Sequence, residues 1–276
     1  MTPIAIRSAA AALAAARRSG TALDALPPDL VPPTMDDAYR VQLELHRQLT
    51  GERGPRGGWK IGCTTAVMQA YLGIATPSAG TLYARTMARG SGTFTTGANR
   101  LGVECELAVR LGTDLAGTAA HDAAVTAATA ARTTAAIEIV EDRYVDYTRL
   151  EAGTLVADDF FGAGCVLGPE VTDWRDLDLG AITASMAIND VEVGRGTGSD
   201  ILGDPLRALT WLAATAADLG EPLRAGHVVL LGSLVQTHWV AAGDRIVIRN
   251  DPMGEASATF EAPGRTFVAS GPRGAS

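Results

Sequence analysis

With 276 residues, of which 47% are hydrophobic and 20% charged, the chain can bury a substantial core, and this composition excludes a disordered protein. The formal net charge of −8 argues against nucleic acid or an anionic membrane as partner, so a small-molecule ligand is expected. No segment is long and apolar enough to predict a membrane span. The odd number of cysteines, with no C-x-x-C spacing, predicts neither disulfides nor a zinc cluster and favours a reducing cytoplasm.

The first twenty residues predict a helix. Their alanine run resembles a signal peptide, but it ends at Arg17 and Arg18 rather than at a cleavage site. Alanine has high helix propensity, Ser8 can cap the helix, and the two arginines followed by Gly20 are typical of a helix C-terminus. We therefore expect a first helix that ends at Gly20.

A second amphipathic helix follows a proline-rich joint at 27–33. Thr34 or Asp36 can cap this helix, and its apolar residues recur at helical spacing. These apolar positions are Ala38, Val41, Leu45 and Leu49. The two helices predict an N-terminal helical region at 1–55, followed by a mixed-sheet catalytic domain at 56–276.

From residue 56 onward, short β-branched runs alternate with glycine-rich turns, which predicts a sheet-rich body. The predicted strands are WKIGC, GVECELAVRL, AAIEIVE, GAGCVLG, ITASMAI, HVVLLGSLV, DRIVIR and SATFEA. Helical periodicity returns at 121–131 and at 203–220. The glycine-rich segment 194–198 lacks the strand and helix of a nucleotide loop and is predicted to be a surface turn.

Lys60 is the only lysine in a chain with 23 lysine and arginine residues. A lysine amine can lose its proton when it is desolvated, whereas an arginine stays charged and cannot act as a base near neutral pH. The solitary amine is therefore a candidate catalytic group. The alternative is a surface lysine that remains by chance in an arginine-rich composition and has no catalytic role.

Two predicted strands carry glutamates on otherwise apolar sequences. The period of two in VECELAV puts Glu104 and Glu106 on one face and the apolar side chains on the other. Glu138 interrupts the apolar run AAIEIV, where an unpaired carboxylate would be costly. Three carboxylates without histidine or cysteine at ligand spacing suit Mg²⁺ or Mn²⁺ rather than zinc. A solvated strand face remains the alternative for the E-x-E pair.

These motifs, in this order, resemble the fumarylacetoacetate hydrolase superfamily, and within it the 2-oxopent-4-enoate hydratase and 4-oxalocrotonate decarboxylase group. The resemblance runs from DAYRVQ at 37–42 through GWKIG at 58–62, the E-x-E strand and AIEIV at 136–140 to LGDPLRALTWLA at 202–213, AGHVVLLGSL at 225–234 and MGEASATF at 253–260. It implies an α+β fold in which a small N-terminal helical region precedes a mixed β-sheet roll or sandwich. It further implies a homo-oligomer.

The resemblance also implies roles for individual residues. Glu104, Glu106 and Glu138 match the ligands of a divalent metal, Mg²⁺ or Mn²⁺, and Lys60 matches a lysine that lines the pocket. Four more residues are expected to bind the substrate. They are Thr64, Thr65, Ser78 and Asp159.

Two segments depart from the pattern of the group. Ser78 lies where hydratases often have an aspartate, and it cannot replace a carboxylate as a base. At 158–161 the chain reads DDFF where small polar residues are usual, which suggests a more apolar pocket wall. Both departures leave room for a larger alkyl or aryl substrate.

The expected activity is hydration of a 2-hydroxy-2,4-dienoate to a 4-hydroxy-2-oxo acid in a metal-dependent site. Decarboxylation of a 2-oxo-3-enedioate shares the same dienolate intermediate and is the first alternative. Hydrolysis of a carbon–carbon bond, a metal-free aldolase with a Lys60 Schiff base, and a catalytically silent partner of a related lyase are further alternatives.

Overall fold

Two packed helices open the chain in this computed structural model, which describes residues 1–115 and 132–263. Helix α1, Pro3–Ser19, begins after Thr2, whose side chain accepts a hydrogen bond from the Ala5 amide, so the prediction of Ser8 as cap was wrong. It ends at Gly20 in the left-handed conformation, as predicted. Helix α2, Met35–Arg53, is capped by Thr34, one of the two predicted caps.

The strands of the described residues form one mixed sheet of twelve. They are β1 Arg56–Gly62, β2 Ser78–Tyr83, β3 Met87–Arg89, β4 Ser91–Thr95, β5 Arg100–Arg110, β6 Arg132–Asp142, β7 Gly162–Leu167, β8 Thr183–Ile188, β9 Val191–Thr197, β10 Val228–Trp239, β11 Arg245–Asp251 and β12 Gly254–Glu261. Three more helices interrupt them: α3 Ala66–Leu72, α4 Ala152–Ala157 and α5 Pro205–Asp218.

The sheet is rolled. Its strand order is β2-β1-β10-β5-β6-β7-β3-β4-β12-β11-β8-β9. Strands β2 and β7 lie five positions apart in this order and nevertheless contact each other, so the first six strands curl into a partly closed roll. Strands β8, β11 and β12 fold back over the outside of β5, β6 and β10. The α+β fold with a mixed-sheet roll is thereby confirmed.

The two faces of the rolled strands differ. The outward face of β5 and β6, which includes Cys105 and Ile137, packs against Ile248 and Phe260 of the second half of the sheet in the main core. The inward face carries a small apolar cluster that includes Ala136 and Leu230. The interior of the roll is therefore apolar at one end, and the glutamates lie on the same inward face.

Some predictions on the later part of the chain changed. The segment predicted as a turn at 194–198 begins within β9, which pairs with β8. The helix predicted at 203–220 is α5. The helix predicted at 121–131 lies outside the described residues, and the division at residue 55 stays a prediction. Among the described helices, none has the length and hydropathy needed to cross a membrane.

Candidate active site

The pairing of β5 and β6 brings three carboxylates together. These strands are antiparallel, with Glu104 opposite Glu138 and Glu106 opposite Ala136. Residues that alternate along a strand share a face, so all three glutamates point into the roll. One carboxylate oxygen from each lies within 4.8 Å of the others. The cluster predicted from the sequence therefore exists in the structure.

Lys60 reaches this cluster from β1. Two strands, β10 and β5, separate β1 from β6, and strands are about 4.8 Å apart, so a flat sheet would place the strands that carry Lys60 and Glu138 about 14 Å apart. In the curled sheet, Lys60 Nζ lies 3.3 Å from Glu138 Oε1. The amine also donates a hydrogen bond of 2.7 Å to the carbonyl of Phe160. The curling of the sheet thus brings Lys60 of β1 next to Glu138 of β6.

The glutamates are only partly satisfied by hydrogen bonds. Glu106 Oε2 accepts from the Gly232 amide at 2.7 Å, and Glu104 Oε1 accepts from Thr237 Oγ1 at 2.5 Å. Glu106 Oε1 and Glu138 Oε1 are buried and have no hydrogen-bond partner among the described residues, although Lys60 lies near the second. Buried carboxylate oxygens without donors are costly unless they bind a cation.

Three carboxylates facing one ammonium leave two negative charges uncompensated, which matches the charge of one divalent ion. All-oxygen donors are the ligands that Mg²⁺ and Mn²⁺ prefer. The orphaned oxygens and the donor set therefore fit the predicted metal.

Burial and mutual repulsion perturb these acids. Burial, followed by the charges of Glu138 and Glu104, raises the pKa of Glu106 well above its ordinary value. Burial also raises the pKa of Glu138 to about 7, although Lys60 opposes this shift. Strongly perturbed carboxylates gathered in one place are typical of functional sites.

Opposing effects act on the protonation of Lys60. Burial lowers the pKa of its amine, but the charges of Glu138 and Glu104 together raise this pKa by more than burial lowers it, so the net shift is upward. The side chain is therefore an ammonium at neutral pH. An ammonium has three N–H groups. One donates to the Phe160 carbonyl and a second faces Glu138, so the third is left to donate to a ligand.

Two of the predicted substrate-binding residues line the same region. Thr64 is buried against Gly232, where an added Cβ would lie 2.7 Å from Thr64 Oγ1. Gly232 has φ 137°, which favours glycine, and its amide is the one bound to Glu106. Ser78 is buried beside β1, and its hydroxyl donates to Cys63 Sγ at 3.8 Å.

The other two predicted residues have structural partners. Thr65 caps α3 by accepting a hydrogen bond from the Met68 amide. Asp159 is fully buried, and its carboxylate accepts from the Thr81 amide at 3.0 Å and from Arg17 Nη2 at 3.1 Å. Substrate binding by Thr64, Thr65, Ser78 and Asp159 stays a prediction.

Three contacts of the site were not predicted from the sequence. They come from the Gly232 amide, the Thr237 hydroxyl and the Phe160 carbonyl. Two of them are main-chain groups, which carry no residue-type signal. Thr237 lies in a strand whose pairing with β5 is irregular, so its position opposite Glu104 could not be read from alternation alone.

Comparison with known proteins agrees with this arrangement. A sequence model of the family described as "Fumarylacetoacetate (FAA) hydrolase C-terminal" matches residues 71–261. "2-keto-4-pentenoate hydratase 1" of Dechloromonas aromatica is 36% identical over 92% of this chain and 96% of its own length. The 4-oxalocrotonate decarboxylase of Pseudomonas putida is 30% identical over 82% of this chain and 86% of its own length.

Among solved structures, 4-oxalocrotonate decarboxylase from Pseudomonas putida G7, complexed with magnesium and adipate, superimposes with a TM-score of 0.87. The match is 25% identical in sequence and covers 94% of this chain and 98% of the other. The structural similarity therefore extends over nearly the whole length of both chains.

Proposed function

Because the chain belongs to the fumarylacetoacetate hydrolase family, we propose that it is a divalent-metal-dependent lyase that adds water to a 2-hydroxy-2,4-dienoate and forms a 4-hydroxy-2-oxo acid. The observation that carries this proposal is the buried cluster of three carboxylates with a single ammonium against it. The similarity to curated 2-keto-4-pentenoate hydratases supports hydration as the main activity.

Glu104, Glu106 and Glu138 would hold Mg²⁺ or Mn²⁺, and the magnesium in the similar decarboxylase structure supports this assignment. The bound ion supplies a Lewis acid that stabilises the negative charge of a dienolate. The Gly232 amide and the Thr237 hydroxyl orient two of the three carboxylates, as hydrogen-bonded outer groups commonly do for metal ligands.

Lys60 is the proposed proton donor and electrostatic partner of the substrate. Its ammonium is fixed by Phe160 and Glu138, and the remaining N–H can hydrogen-bond a developing oxyanion or deliver the proton that forms the unsaturated ketone. The apolar side chains at one end of the roll, which include Leu230, should exclude water from that end of the site. The Phe160 ring, centred 5.2 Å from Lys60 Nζ, provides an apolar wall that suits a hydrocarbon substituent.

Decarboxylation of a 2-oxo-3-enedioate is the second candidate, and the match to the decarboxylase structure favours it. As carbon dioxide leaves, the electrons of the broken carbon–carbon bond would move through the conjugated double bond onto the 2-oxo group and form the same dienolate, so a metal at this site would serve either reaction. Carbon–carbon bond hydrolysis ranks third, and a silent partner subunit is opposed by the intact Lys60 and glutamates.

The test is to assay the protein with Mg²⁺ or Mn²⁺ against 2-hydroxydienoates and 2-oxo-3-enedioates. Loss of dienol absorbance without carbon dioxide release supports hydration, whereas stoichiometric carbon dioxide supports the decarboxylase. EDTA should abolish turnover, and borohydride should trap no adduct. A borohydride-trapped Lys60 adduct in active, EDTA-treated protein would establish the Schiff-base aldolase instead.

Lys60→Arg provides the matched test of the amine. It retains a positive charge but changes the geometry and reach of the donor, so we expect kcat to fall by about 100-fold to 10,000-fold. Affinity for Mn²⁺ should change little, because the carboxylates remain. Near-normal turnover in this variant would contradict the proposed role of Lys60.

We further propose a homo-oligomer, which the family resemblance implies, and an association with a related lyase. The cysteine content favours the cytoplasm as the location of the protein. Light scattering of the purified protein tests the first point. Co-purification with a coexpressed decarboxylase or hydratase of the family tests the second.

A further inference from the structure

The chain between α4 and β7 has an unusual backbone. Asp159, Phe160 and Phe161 have φ values of 54°, 46° and 66°, so three consecutive residues other than glycine lie in the left-handed region. Side chains with a Cβ are disfavoured there, and such conformations persist only where the surroundings enforce them. We call residues 158–161 the strained turn.

The strained turn has a specific effect on Lys60. It directs the Phe160 carbonyl toward the ammonium, which donates to it at 2.7 Å. The lysine stem is confined as well, because a Cβ added at Gly80 would lie 2.9 Å from Lys60 Cε. The direction of the remaining N–H of Lys60 therefore depends on where the turn holds the Phe160 carbonyl.

Two buried arginines hold the strained turn from behind. Arg17 donates from Nε to Asp158 Oδ1 at 2.6 Å, and from Nη2 to the Asp158 carbonyl at 2.7 Å and to Asp159 Oδ2 at 3.1 Å. Arg143 donates to Asp158 Oδ2 at 2.8 Å and to the same carbonyl at 2.9 Å. Tyr144 donates to Asp158 Oδ2 at 3.0 Å.

These two arginines come from different parts of the chain. Arg143 follows β6, close to the turn, whereas Arg17 lies on α1 and is 141 residues from Asp158. Arg17 is 8% exposed, although a helix-terminal arginine normally reaches solvent. Two of its donor nitrogens bind the strained turn, which gives α1 a direct contact with the support of the active site.

We propose that Arg17 is a positioning residue for Lys60, so that the N-terminal helix sets the geometry of the catalytic amine through the strained turn. The inference rests on the proposed function insofar as Lys60 is the catalytic group. The hydrogen bonds and ion pairs of Arg17 are with Asp158 and Asp159 rather than with Lys60 or the glutamates, so its loss should affect the chemical step rather than metal affinity.

The experiment compares Arg17→Gln with Arg18→Gln. Arg18 is the neighbouring residue on α1 and forms an exposed ion pair with Glu52 of α2, so its variant loses a contact between the helices but leaves the strained turn intact. We expect Arg17→Gln to lower kcat by about 10-fold to 100-fold with KM within about threefold. Arg18→Gln should match the unaltered protein, and Mn²⁺ affinity should be the same in all three.

Lys60 also provides a readout that needs no substrate. It is the only lysine, so the rate at which acetic anhydride modifies this position can be followed by peptide mass spectrometry. We expect about a fivefold or greater increase in acetylation of Lys60 in Arg17→Gln, because the turn opens locally, and no increase in Arg18→Gln. Circular dichroism and Tm identify a variant that fails to fold.

If Arg17→Gln does not fold, Asp159→Asn replaces it, because this isosteric change weakens the Arg17 pair and keeps an acceptor for the Thr81 amide. It should raise acetylation of Lys60 in the same direction. Unchanged acetylation and kcat in a folded variant would overturn the proposal. Should the unaltered protein turn over neither dienoates nor enedioates, the proposed function fails, and acetylation alone still decides the role of Arg17.

Discussion

Two buried charged clusters meet at the strained turn, and they differ in how far their charges are paired. The carboxylate cluster has three acids and one cation, and two of its buried oxygens lack hydrogen-bond partners within residues 1–115 and 132–263. The arginine–aspartate cluster pairs Arg17 and Arg143 with Asp158 and Asp159, and Arg17 Nη1 is its one unsatisfied atom among the described residues.

The pKa shifts record this difference at similar burial. Burial acts to raise the pKa of Asp158, but Arg143 and Arg17 lower it more, and the net shift is downward. For Glu138, burial prevails and the pKa rises to about 7. A satisfied cluster stabilises the fold, whereas an unsatisfied one is retained where a ligand completes it.

Arg143→Gln should produce the largest loss of stability. It removes one of the two arginines on Asp158 and leaves part of that buried charge uncompensated, so we expect the free energy of unfolding to fall by about 3–5 kcal/mol. Urea denaturation measures the change. Arg195→Gln, which breaks an exposed pair with Glu192, is the control and should change stability by less than about 0.5 kcal/mol. Equal losses of stability in the two variants would show that the arginine–aspartate cluster stabilises the fold no more than an exposed ion pair does.

Glu106→Gln should show the reverse pattern. It removes a proposed metal ligand, so the affinity for Mn²⁺ should fall by more than about 100-fold. This loss is larger than the loss expected when a residue that only hydrogen-bonds to a metal ligand is removed. It also relieves repulsion, so the metal-free protein should gain stability rather than lose it. Mn²⁺ titration by electron paramagnetic resonance and thermal unfolding in EDTA measure both effects.

Glu170→Gln is the control for Glu106→Gln. Glu170 binds three arginines at the surface, and their hydrogen bonds and charges outweigh burial and lower its pKa to about 2. This variant should lose stability slightly and keep full Mn²⁺ affinity. A metal-free Glu106→Gln protein that is less stable than the unaltered one would show that Glu106 is structural.

The carboxylate cluster could be predicted from the sequence, but the arginine–aspartate cluster could not. Alternation along a strand fixed the shared face of Glu104 and Glu106, and a glutamate inside an apolar run marked Glu138. Arg17 instead occupies the cationic last turn that any helix can have, so nothing local indicates that it is buried. Its role depends on a tertiary contact across 141 residues.

The rolled sheet shows the same limit. Most strands were predicted from β-branched runs, but 194–198, which includes the second half of β9, was predicted as a turn because its glycines resemble loop sequence. An added Cβ at Gly196 would lie 1.8 Å from the Leu234 carbonyl, so this glycine is required by a close approach of β9 to β10 rather than by a turn. Such packing is visible only after the sheet has rolled.

The pH dependence of stability should separate the clusters further. A carboxyl whose pKa is raised in the folded protein contributes stability at pH below its ordinary value of 4.5, and this contribution is lost as the pH rises through about 7 for Glu138. In EDTA, Tm should therefore fall between pH 5 and about 8. Metal binding must release protons from these acids, so the Tm increase on adding Mn²⁺ should grow over the same interval.

The control for this pH dependence is Glu106→Gln, in which the fall of Tm with pH should be shallower because one repulsive charge is gone. Asp158 does not contribute in this interval, because its lowered pKa confines its titration to more acidic pH. A metal-free Tm that rises from pH 5 to about 8 would contradict the assignment of raised pKa values to the glutamates.

Thr237→Val should have the smallest effect. The hydroxyl donates to Glu104 Oε1, and valine keeps the shape while it removes this orienting bond, so we expect Mn²⁺ affinity to fall by about tenfold. Stability should hardly change, because Glu104 is only partly buried and water can replace the lost donor. Thr210→Val, which removes a hydroxyl bound to the Leu206 carbonyl in α5, is the matched control. If both valine variants bind Mn²⁺ equally well, Glu104 is not held in place by Thr237, and the carboxylates rely on the fold of β5 and β6 alone.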